Sequence, residues 1–287
     1  MHIIVGGTGQ VGSAVARTLL KRGEPVTVVT RDAAHSTDLE AAGAKTAVVD
    51  IRDVEGLRAT FHAGTRAFLL NPPADPSGDT DAEERANVTA IMAALQGSGL
   101  EKVVAASTYG ARAGERCGDL TVLYEFEEKL RAQPVPAAIN RGAYYMSNWA
   151  GMLGPALESG KLPSFFPADL SLPMVSPTDL GEAAANRLLS PADDIALKHV
   201  EGPEPYSPRD VAEAISAAFG RSVEVEVIPR EAWESTFLQF GFSESAAASY
   251  ACMTGAVVDG QISGSTDPVR GCTSLRAYVD SLARKAS

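Results

Sequence analysis

The feature that most constrains the fold is a glycine-rich turn directly after the first apolar run of the chain. Residues 2–5 read HIIV, residues 6–12 read GGTGQVG, and a segment of helical period follows over residues 13–23. The turn satisfies G-x-G-x-x-G when read from Gly7 and G-x-x-G-x-x-G when read from Gly6. A strand, a glycine turn and a helix in this order are typical of a dinucleotide-binding unit, because glycines let the backbone approach a pyrophosphate at a helix N-terminus.

The same rhythm of apolar runs and helix-period segments continues to residue 142. The apolar runs are rich in Val, Ile, Leu and Ala and do not alternate with polar residues, which is typical of parallel strands buried on both faces. The predicted strands cover residues 2–5, 25–30, 45–50, 66–71, 102–107 and 136–142. The predicted helices cover residues 13–23, 38–43, 54–63, 82–99 and 121–133. The pattern predicts an α/β fold with a Rossmann-type doubly wound parallel sheet.

After residue 142 the alternation of apolar runs and helix-period segments ends, and aromatic residues separated by Gly and Pro follow. We therefore predict a dinucleotide-binding Rossmann domain over residues 1–142 and a smaller C-terminal α+β substrate lobe over residues 143–287. A length of 287 residues fits two units, since domains average about 150 residues. We expect residues 172–202 to complete the first sheet. The other elements predicted in this half are helices over residues 176–191 and 207–220 and strands over residues 195–202 and 223–229.

Composition and charge exclude several classes of protein. The chain has 25 Lys and Arg against 36 Asp and Glu, a net charge of −11 that disfavours nucleic-acid binding. No apolar run approaches the ~18 residues that a membrane-spanning helix needs. A secretory leader would need an apolar stretch before the fold, but the glycine turn already begins at Gly6. We expect a cytoplasmic protein, a monomer or a homodimer, with neither nucleic acid nor membrane as partner.

The cysteines and histidines indicate neither a metal site nor a disulfide framework. Cys117, Cys252 and Cys272 are far apart and odd in number, so no pairing can be inferred, and we expect a reducing compartment. The four histidines are scattered, and no metal is predicted. The sequence also lacks the G-x-S-x-G nucleophile elbow and the G-x-x-x-x-G-K-[ST] phosphate loop, which argues against hydrolases and NTPases.

The end of the second predicted strand bears on the choice of dinucleotide. Arg31 follows it, where an arginine pairs with the 2′-phosphate of NADP, whereas the adjacent Asp32 would bond the ribose hydroxyls of NAD. We expect NADP(H) to be preferred, with NAD(H) as the alternative; a solvated surface arginine is the other interpretation of Arg31. After the third predicted strand, Asp50 and Ile51 suit the adenine ring. Asp53 has a simpler interpretation as the cap of the next helix.

These motifs, with the later stretch EEKLRAQPVPAAINRGAYYMSNW, resemble the NmrA-like branch of the atypical short-chain dehydrogenases, and the resemblance runs through nearly the whole chain. That branch includes NADPH-dependent quinone reductases, triphenylmethane dye reductases, isoflavone-reductase-like enzymes and redox sensors that bind the dinucleotide without turnover. The resemblance implies that Arg31 holds the 2′-phosphate. It implies phosphate contacts from Gly6, Thr8, Gly9, Gln10 and Val11. It implies contacts near the strand ends and the nicotinamide from Leu70, Asn71, Pro72, Ser107, Thr108, Tyr109, Gly142, Ala143 and Tyr144.

The candidate catalytic residues are Ser107, Tyr109 and Tyr124. In typical short-chain dehydrogenases a tyrosine and a lysine one helical turn later form a proton relay. Here Glu128 stands one turn after Tyr124, and Lys129 is one residue too far. A carboxylate beside a phenol makes it a poor base, so the usual alcohol-oxidation relay is not expected. The other interpretation of Tyr124 is an aromatic residue on a half-buried helix face.

An aromatic run in the second half suggests the kind of substrate. Aromatic residues are 6% of the chain, yet they cluster between residues 144 and 166. The predicted substrate pocket consists of Tyr145, Trp149, Phe165 and Phe166. Such a wall could position a planar conjugated acceptor, a quinone or an aromatic dye, for hydride transfer from NADPH. The alternatives are a lobe that packs its own core and an NAD(P)-sensing regulatory protein without turnover that acts through a protein partner.

Overall fold

The computed structural model describes residues 1–262 and 264–286. Its strands are β1 (His2–Ile4), β2 (Val26–Thr30), β3 (Lys45–Val48), β4 (Arg66–Leu69), β5 (Lys102–Thr108), β6 (Ala137–Gly142), β7 (Tyr144–Tyr145), β8 (Lys161–Ser164), β9 (Leu172–Val175), β10 (Leu197–Glu201), β11 (Pro205–Tyr206), β12 (Glu224–Val227) and β13 (Val269–Arg270). Its α-helices are α1 (Gln10–Lys21), α2 (Thr37–Ala41), α3 (Val54–His62), α4 (Thr80–Leu95), α5 (Asp119–Arg131), α6 (Leu153–Ser159), α7 (Pro177–Leu189), α8 (Pro208–Phe219), α9 (Trp233–Gln239), α10 (Glu244–Val258) and α11 (Leu275–Ala286). Short 3-10 helices cover Ala33–Ser36, Met146–Met152 and Arg230–Ala232.

The central sheet is parallel throughout. In the described part of the chain it has eight strands in the order β13-β10-β6-β5-β4-β1-β2-β3. The chain builds outward from β1 in one direction and then from β4 in the other, so the topological switch point lies between these two strands. Ligands of doubly wound sheets bind beyond the carboxyl ends of the strands at this point. The predicted Rossmann-type sheet is confirmed.

Helices cover both faces of the sheet, which explains why its strands read as unbroken apolar runs. Ile4 and Val28 pack with α1 and α7 in one core, while Ile3 and Val29 pack with α3, α4 and α5 in the other. On the first face α1 and α7 approach closely at Gly181, where an added Cβ would lie 2.4 Å from the Cβ of Ala14. Successive residues of each strand therefore pack into opposite cores.

The second half of the chain contributes to both the sheet and a separate core. Of the range predicted to complete the sheet, β10 pairs with β6, whereas β9 pairs with β7 and β11 in a small mixed sheet. The strand β13 also joins the main sheet beside β10. A third core gathers Met146, Trp149 and Phe166 with residues of α8 and α11. The predicted division at residue 142 stays a prediction.

No helix among residues 1–262 and 264–286 is both long and apolar enough to cross a membrane.

A disulfide joins Cys117, just before α5, to Cys252 on α10, while Cys272 is a free, exposed thiol. The scattered cysteines gave no hint of this bond, because 135 residues separate the two partners.

Candidate functional site

The glycine turn packs tightly against the sheet and opens outward at the start of α1. An added Cβ on Gly7 would lie 2.6 Å from the Cβ of Val28, and one on Gly12 would lie 2.1 Å from the carbonyl oxygen of Gly6. These positions must stay bare for the turn to close on the strands. Gly9 differs, since an added Cβ there meets only the Gly6 oxygen, at 3.3 Å.

The residues predicted to hold the phosphates surround the N-terminus of this helix. Gly9 is the N-cap of α1, Gln10 is exposed, and Val11 is buried against the sheet. The Thr8 hydroxyl lies 3.3 Å from the hydroxyl of Thr30, which ties the turn to the end of β2. The amide groups of the first helical turn carry partial positive charge and face the opening beside Gly9. A cradle of this kind fits the pyrophosphate of a dinucleotide.

Arg31 and Asp32, which follow β2, differ in their hydrogen bonds. Asp32 caps the 3-10 helix that follows, and its Oδ1 accepts a hydrogen bond of 2.9 Å from the amide of Ala34. Arg31 is exposed, and within residues 1–262 and 264–286 its guanidinium makes no hydrogen bond or ion pair. The guanidinium is therefore available for a phosphate, whereas the neighbouring carboxylate already has a local role.

The residues after β3 turn tightly before α3. Asp50 is exposed and accepts a hydrogen bond of 2.8 Å from the amide of Arg52. Ile51 is half-buried and packs on the core below. Asp53 caps α3, accepting a hydrogen bond of 3.0 Å from the amide of Gly56, which is the simpler of its two interpretations. Asp50 and Ile51 thus remain at the surface beside the sheet's carboxyl edge.

The segment after β4 borders the glycine turn. Leu70 lies so close that an added Cβ on Gly6 would approach its Cδ2 to 2.9 Å. Asn71 and Pro72 follow and are half-buried. The Oδ1 atom of Asn71 is buried and, within the described residues, accepts no hydrogen bond. A buried acceptor without a donor is costly, so this atom marks a place where a bound group is expected to supply one.

Ser107 is engaged in a buried ionic network. Its hydroxyl donates a hydrogen bond of 2.5 Å to Glu127 of α5. The Glu127 carboxylate is fully buried and also accepts two hydrogen bonds of 2.8 Å from Arg141 and one of 3.1 Å from Arg131. The hydroxyl of Ser107 therefore contributes to the set of donors around a buried carboxylate.

Tyr109 likewise donates its hydroxyl proton to a carboxylate. Its hydroxyl donates a hydrogen bond of 2.5 Å to Glu201, whose other oxygen lies 2.9 Å from Arg270. Its ring packs edge-on against His199 at 4.7 Å. Burial, followed by the contact with Glu201, raises the pKa of Tyr109 far above its usual range. The phenol stays protonated and joins the end of β5 to β10, and the catalytic assignment of Ser107 and Tyr109 stays a prediction.

Tyr124 lies half-buried on α5. The predicted neighbour Glu128 is exposed and accepts a hydrogen bond from Arg131, so its carboxylate has a partner of opposite charge. Lys129 is exposed. In the part of the chain that the structure describes, Tyr124 has no lysine partner, in agreement with the departure from the usual relay that the sequence shows.

The remaining cofactor-side residues lie where β5 and β6 end. Thr108 is half-buried and stands in register with Gly142. An added Cβ on Gly142 would come within 3.0 Å of the Tyr145 ring, so this glycine lets that ring approach the strand. Ala143 is buried and donates its amide to Val200. Thr108, Gly142 and Tyr145 thus stand together at the carboxyl edge.

The predicted aromatic wall is divided between two clusters. Tyr144, Trp149 and Phe166 pack on one another at centroid distances of 5.3 to 6.5 Å within the third core. Phe165 instead stacks on Phe237 at 4.3 Å, in a separate cluster. Trp149 and Phe166 are buried, which favours the lobe-core interpretation for them. Tyr145 is the member of the predicted pocket that reaches the end of β6.

A group of carboxylic acids at the starts of α4 and α5 was not predicted from the sequence. Asp81 and Glu84 lie in the first turns of α4, and Asp119 is the first residue of α5. The side chains of Glu84 and Asp119 lie close enough for the charge of Asp119 to raise the pKa of Glu84. Helices that follow parallel strands begin at the carboxyl edge of the sheet, so these acids share that edge with the glycine turn. Their positions in the first turns of the helices that follow β4 and β5 were the signal available in the sequence.

The surroundings of Glu84 and Asp119 raise the pKa of both acids, and Glu84, which is buried, is the one that holds a proton at neutral pH. Desolvation raises the pKa of Glu84 to about 8, and the nearby charge of Asp119 adds to the effect. Desolvation likewise raises the pKa of Asp119 to about 6, with a further contribution from Asp81. Both shifts have the same direction, so the pair retains a proton near neutral pH. In the described residues no cluster of His, Cys, Asp and Glu is suited to hold a metal ion, which sets these acids apart from metal ligands.

Comparisons with known proteins bear on this site. A model of the NmrA-like family matches residues 2–269. An NAD(P)H azoreductase from Xenophilus azovorans is 26% identical over 248 residues, which cover 86% of this chain and 84% of that protein.

Two solved structures share the fold. The triphenylmethane reductase of Citrobacter sp. superposes with a TM-score of 0.81 at 19% identity, over 99% of each chain. The NADPH-dependent quinone oxidoreductase of Escherichia coli, in complex with NADPH, superposes with a TM-score of 0.79 at 19% identity, over 98% of this chain and 99% of that one.

Proposed function

The chain belongs to the NmrA-like family, and from that membership and the geometry of the site we propose that it is an NADPH-dependent reductase of a planar conjugated acceptor, such as a quinone or an aromatic dye. The azoreductase relative supports the reductase class and the nicotinamide cofactor. The structural neighbours named as triphenylmethane reductase and quinone oxidoreductase are consistent with an aromatic acceptor. The choice of acceptor is the part that awaits experiment.

The glycine turn is the observation that carries this proposal. It presents the N-terminus of a 12-residue helix with open space at Gly9, beside Arg31 and the buried Oδ1 of Asn71, neither of which has a partner among the described residues. When bound, NADPH supplies a hydride to the acceptor. The residues of this chain hold the pyrophosphate, pair with the 2′-phosphate and position the acceptor beyond the ends of β5 and β6.

A turnover assay tests the proposal directly. The purified protein is expected to oxidise NADPH when it is given an azo dye, a cationic triphenylmethane dye or a quinone, measured as loss of the reduced-nicotinamide absorbance. The alternative of a dinucleotide sensor without turnover is not favoured, because the relatives named above are reductases. NADPH that binds but is oxidised by none of these acceptors would favour the sensor instead.

Cofactor preference is expected to depend on Arg31. A charge-assisted contact between a guanidinium and a phosphate contributes about 1.5 to 3 kcal/mol, roughly tenfold to a hundredfold in affinity. Arg31→Ala should therefore weaken NADPH binding by that factor and leave NADH binding unchanged, as measured by fluorescence titration of both cofactors. Arg17→Ala, at an exposed arginine of α1, is the matched control. An unchanged ratio of the two affinities in Arg31→Ala would make Arg31 an ordinary surface residue.

The usual tyrosine relay is expected to contribute little. Tyr124 has no lysine partner, and Glu128 is paired with Arg131. A positioned general acid contributes about 10² to 10⁴ in rate, so Tyr124→Phe should lower kcat with a quinone by less than about tenfold if the phenol is not that acid. A loss of a hundredfold or more, at unchanged NADPH affinity, would show that Tyr124 donates a proton without a lysine.

A further inference from the structure

We propose that Cys252 is a site of reversible covalent modification, at which a small thiol that carries carboxylates exchanges with the disulfide to Cys117. The inference goes beyond the proposed function and does not depend on it. It is carried by the unequal exposure of the two cysteines and by an open cavity that Cys252 lines and Cys117 does not.

The cavity has a volume of about 680 Å³. Three segments line it: α10, which contributes Cys252, the start of α9, with Trp233, and the loop between β5 and α5, with Arg112. Small-molecule sites in proteins commonly have volumes of about 300 to 1,000 Å³. The cavity is therefore large enough for a ligand the size of a short peptide.

The two ends of the disulfide differ in accessibility. Cys252 is exposed and lines the cavity, whereas Cys117 is 4% exposed and packs with Leu120 in a small apolar cluster. Met253 covers the next residue of the chain, since an added Cβ on Gly118 would lie 2.7 Å from its Sδ. Thiol–disulfide exchange requires an attacking thiolate to reach one of the two sulfur atoms. An incoming thiolate therefore has access to Cys252 and not to Cys117.

The exchange step follows from this order of access. The thiolate of the ligand attacks Sγ of Cys252, an S–S bond forms between them, and the bond between Cys252 and Cys117 breaks. Its electron pair leaves with Sγ of Cys117, which becomes a thiolate and takes a proton from solvent. The sulfur of the ligand is oxidised and that of Cys117 is reduced, so the step balances without a further reactant. Attack by the Cys117 thiolate on the mixed disulfide reverses the step and releases the ligand.

The cavity contains a guanidinium that is available for a carboxylate. Within residues 1–262 and 264–286 the side chain of Arg112 makes no hydrogen bond or ion pair, while its amide donates a hydrogen bond of 2.8 Å to the carbonyl oxygen of Leu120. Arg230 is a second cation, but it is paired with Asp259 and lies 4.9 Å over the ring of Trp233. The chain as a whole carries a net charge of −11, so an anionic ligand needs a local cation. We expect Arg112 to bind a carboxylate of the thiol.

The remaining charged groups of the cavity are acids. Glu231 and Glu234 are exposed and line it, as does Asp259, which is paired with Arg230. These carboxylates disfavour a ligand that is only anionic and suit one that also carries an ammonium group. A cysteine-containing tripeptide with two carboxylates and one ammonium group has this combination of charges, and glutathione is the probe of that class.

Trapping of the intermediate tests which sulfur is attacked. The protein carries Cys272→Ser, which removes the free exposed thiol, and is purified without reductant. After exposure to reduced glutathione it is alkylated with N-ethylmaleimide in denaturant, and its peptides are identified by mass spectrometry. Glutathione is expected on Cys252 and maleimide on Cys117. The reverse arrangement, a disulfide that glutathione does not open, or two free thiols in the purified protein would each overturn the proposal.

Single-cysteine variants measure access without the exchange step. In Cys117→Ala the remaining thiol at this place is Cys252, and in Cys252→Ala it is the buried Cys117. Both variants lack the disulfide, so its loss does not distinguish them. Oxidised glutathione should modify Cys117→Ala at least about tenfold faster than Cys252→Ala. Equal rates would contradict the selective access of Cys252.

A charged and an uncharged reagent test the role of Arg112. In the Cys117→Ala protein, Arg112→Ala should slow modification by oxidised glutathione about three- to tenfold and leave modification by hydroxyethyl disulfide within about twofold. Arg17→Ala is the matched control, because it removes the same charge from a residue that does not line the cavity. It should change neither rate. Equal slowing with both reagents, or no slowing with glutathione, would overturn the binding of a carboxylate by Arg112.

Discussion

Replacement of Gly9 by valine is expected to abolish NADPH binding while the protein remains folded. Gly9 has φ −75° and ψ 173°, an extended conformation that valine adopts without strain. An added Cβ meets only the Gly6 oxygen, at 3.3 Å, so the turn can keep its shape. The valine methyl groups would project into the opening over the N-terminus of α1, where the pyrophosphate is expected to lie.

Thermal unfolding with and without NADPH measures both parts of this prediction. At a cofactor concentration of 100 times its dissociation constant, binding stabilises the wild type by about 2.7 kcal/mol, and Gly9→Val should lose this increment. Gly151→Val is the matched control, since that glycine is exposed and an added Cβ there meets nothing within 4 Å. A Gly9→Val protein that NADPH still stabilises would contradict the assignment of the turn.

The neighbouring Gly12 shows why the glycines of the turn are not equivalent. An added Cβ on Gly12 would lie 2.1 Å from the Gly6 oxygen, so Gly12→Ala would force the turn away from α1 and destabilise the fold. The sequence motif treats all the glycines alike. The structure separates those that close the turn on the sheet from Gly9, which keeps space open for a ligand.

The first strand, the glycine turn and the parallel sheet could be predicted because their signals are local. The strands β1 and β2 are apolar along their length, and the turn between β1 and α1 has a recognisable spacing. The second half was harder to predict. Its helices α9, α10 and α11 were not anticipated, because small residues and scattered aromatics in that region obscure helical periodicity.

The partners of the candidate catalytic residues could not be predicted because they come from distant elements. Tyr109 pairs with Glu201 across 92 positions, and Ser107 pairs with Glu127 across 20. In a sequence, a serine or a tyrosine that follows a parallel strand resembles an active-site residue. The carboxylate that it contacts is visible only in the structure. The proximity of Glu84 to Asp119 could not be predicted for the same reason, since each acid alone resembles an ordinary residue of a first helical turn.

Reduction of the disulfide between Cys117 and Cys252 is expected to lower stability substantially. The bond spans 135 residues, and in the chain-entropy model a loop of this length stabilises the folded state by about 5 kcal/mol. An effect of this size corresponds to a decrease of roughly 10 °C in the unfolding temperature. Cys117 stands just before α5 and Cys252 lies on α10, so the bond also joins these two helices.

Unfolding of the oxidised protein with and without a reductant tests this expectation, with Cys117→Ala as the genetic equivalent. Cys272→Ser is the matched control, because Cys272 is free and exposed and its replacement should leave the midpoint unchanged. Reduced protein and Cys117→Ala should unfold at the same, lower temperature, and reductant should not affect the variant further. Equal midpoints for oxidised and reduced wild type would mean that the bond does not contribute to the folded state in solution. In that case the hydrogen bonds from Ser243 to the carbonyl oxygens of Pro76 and Gly78 would hold the start of α10 beside the start of α4 without the disulfide.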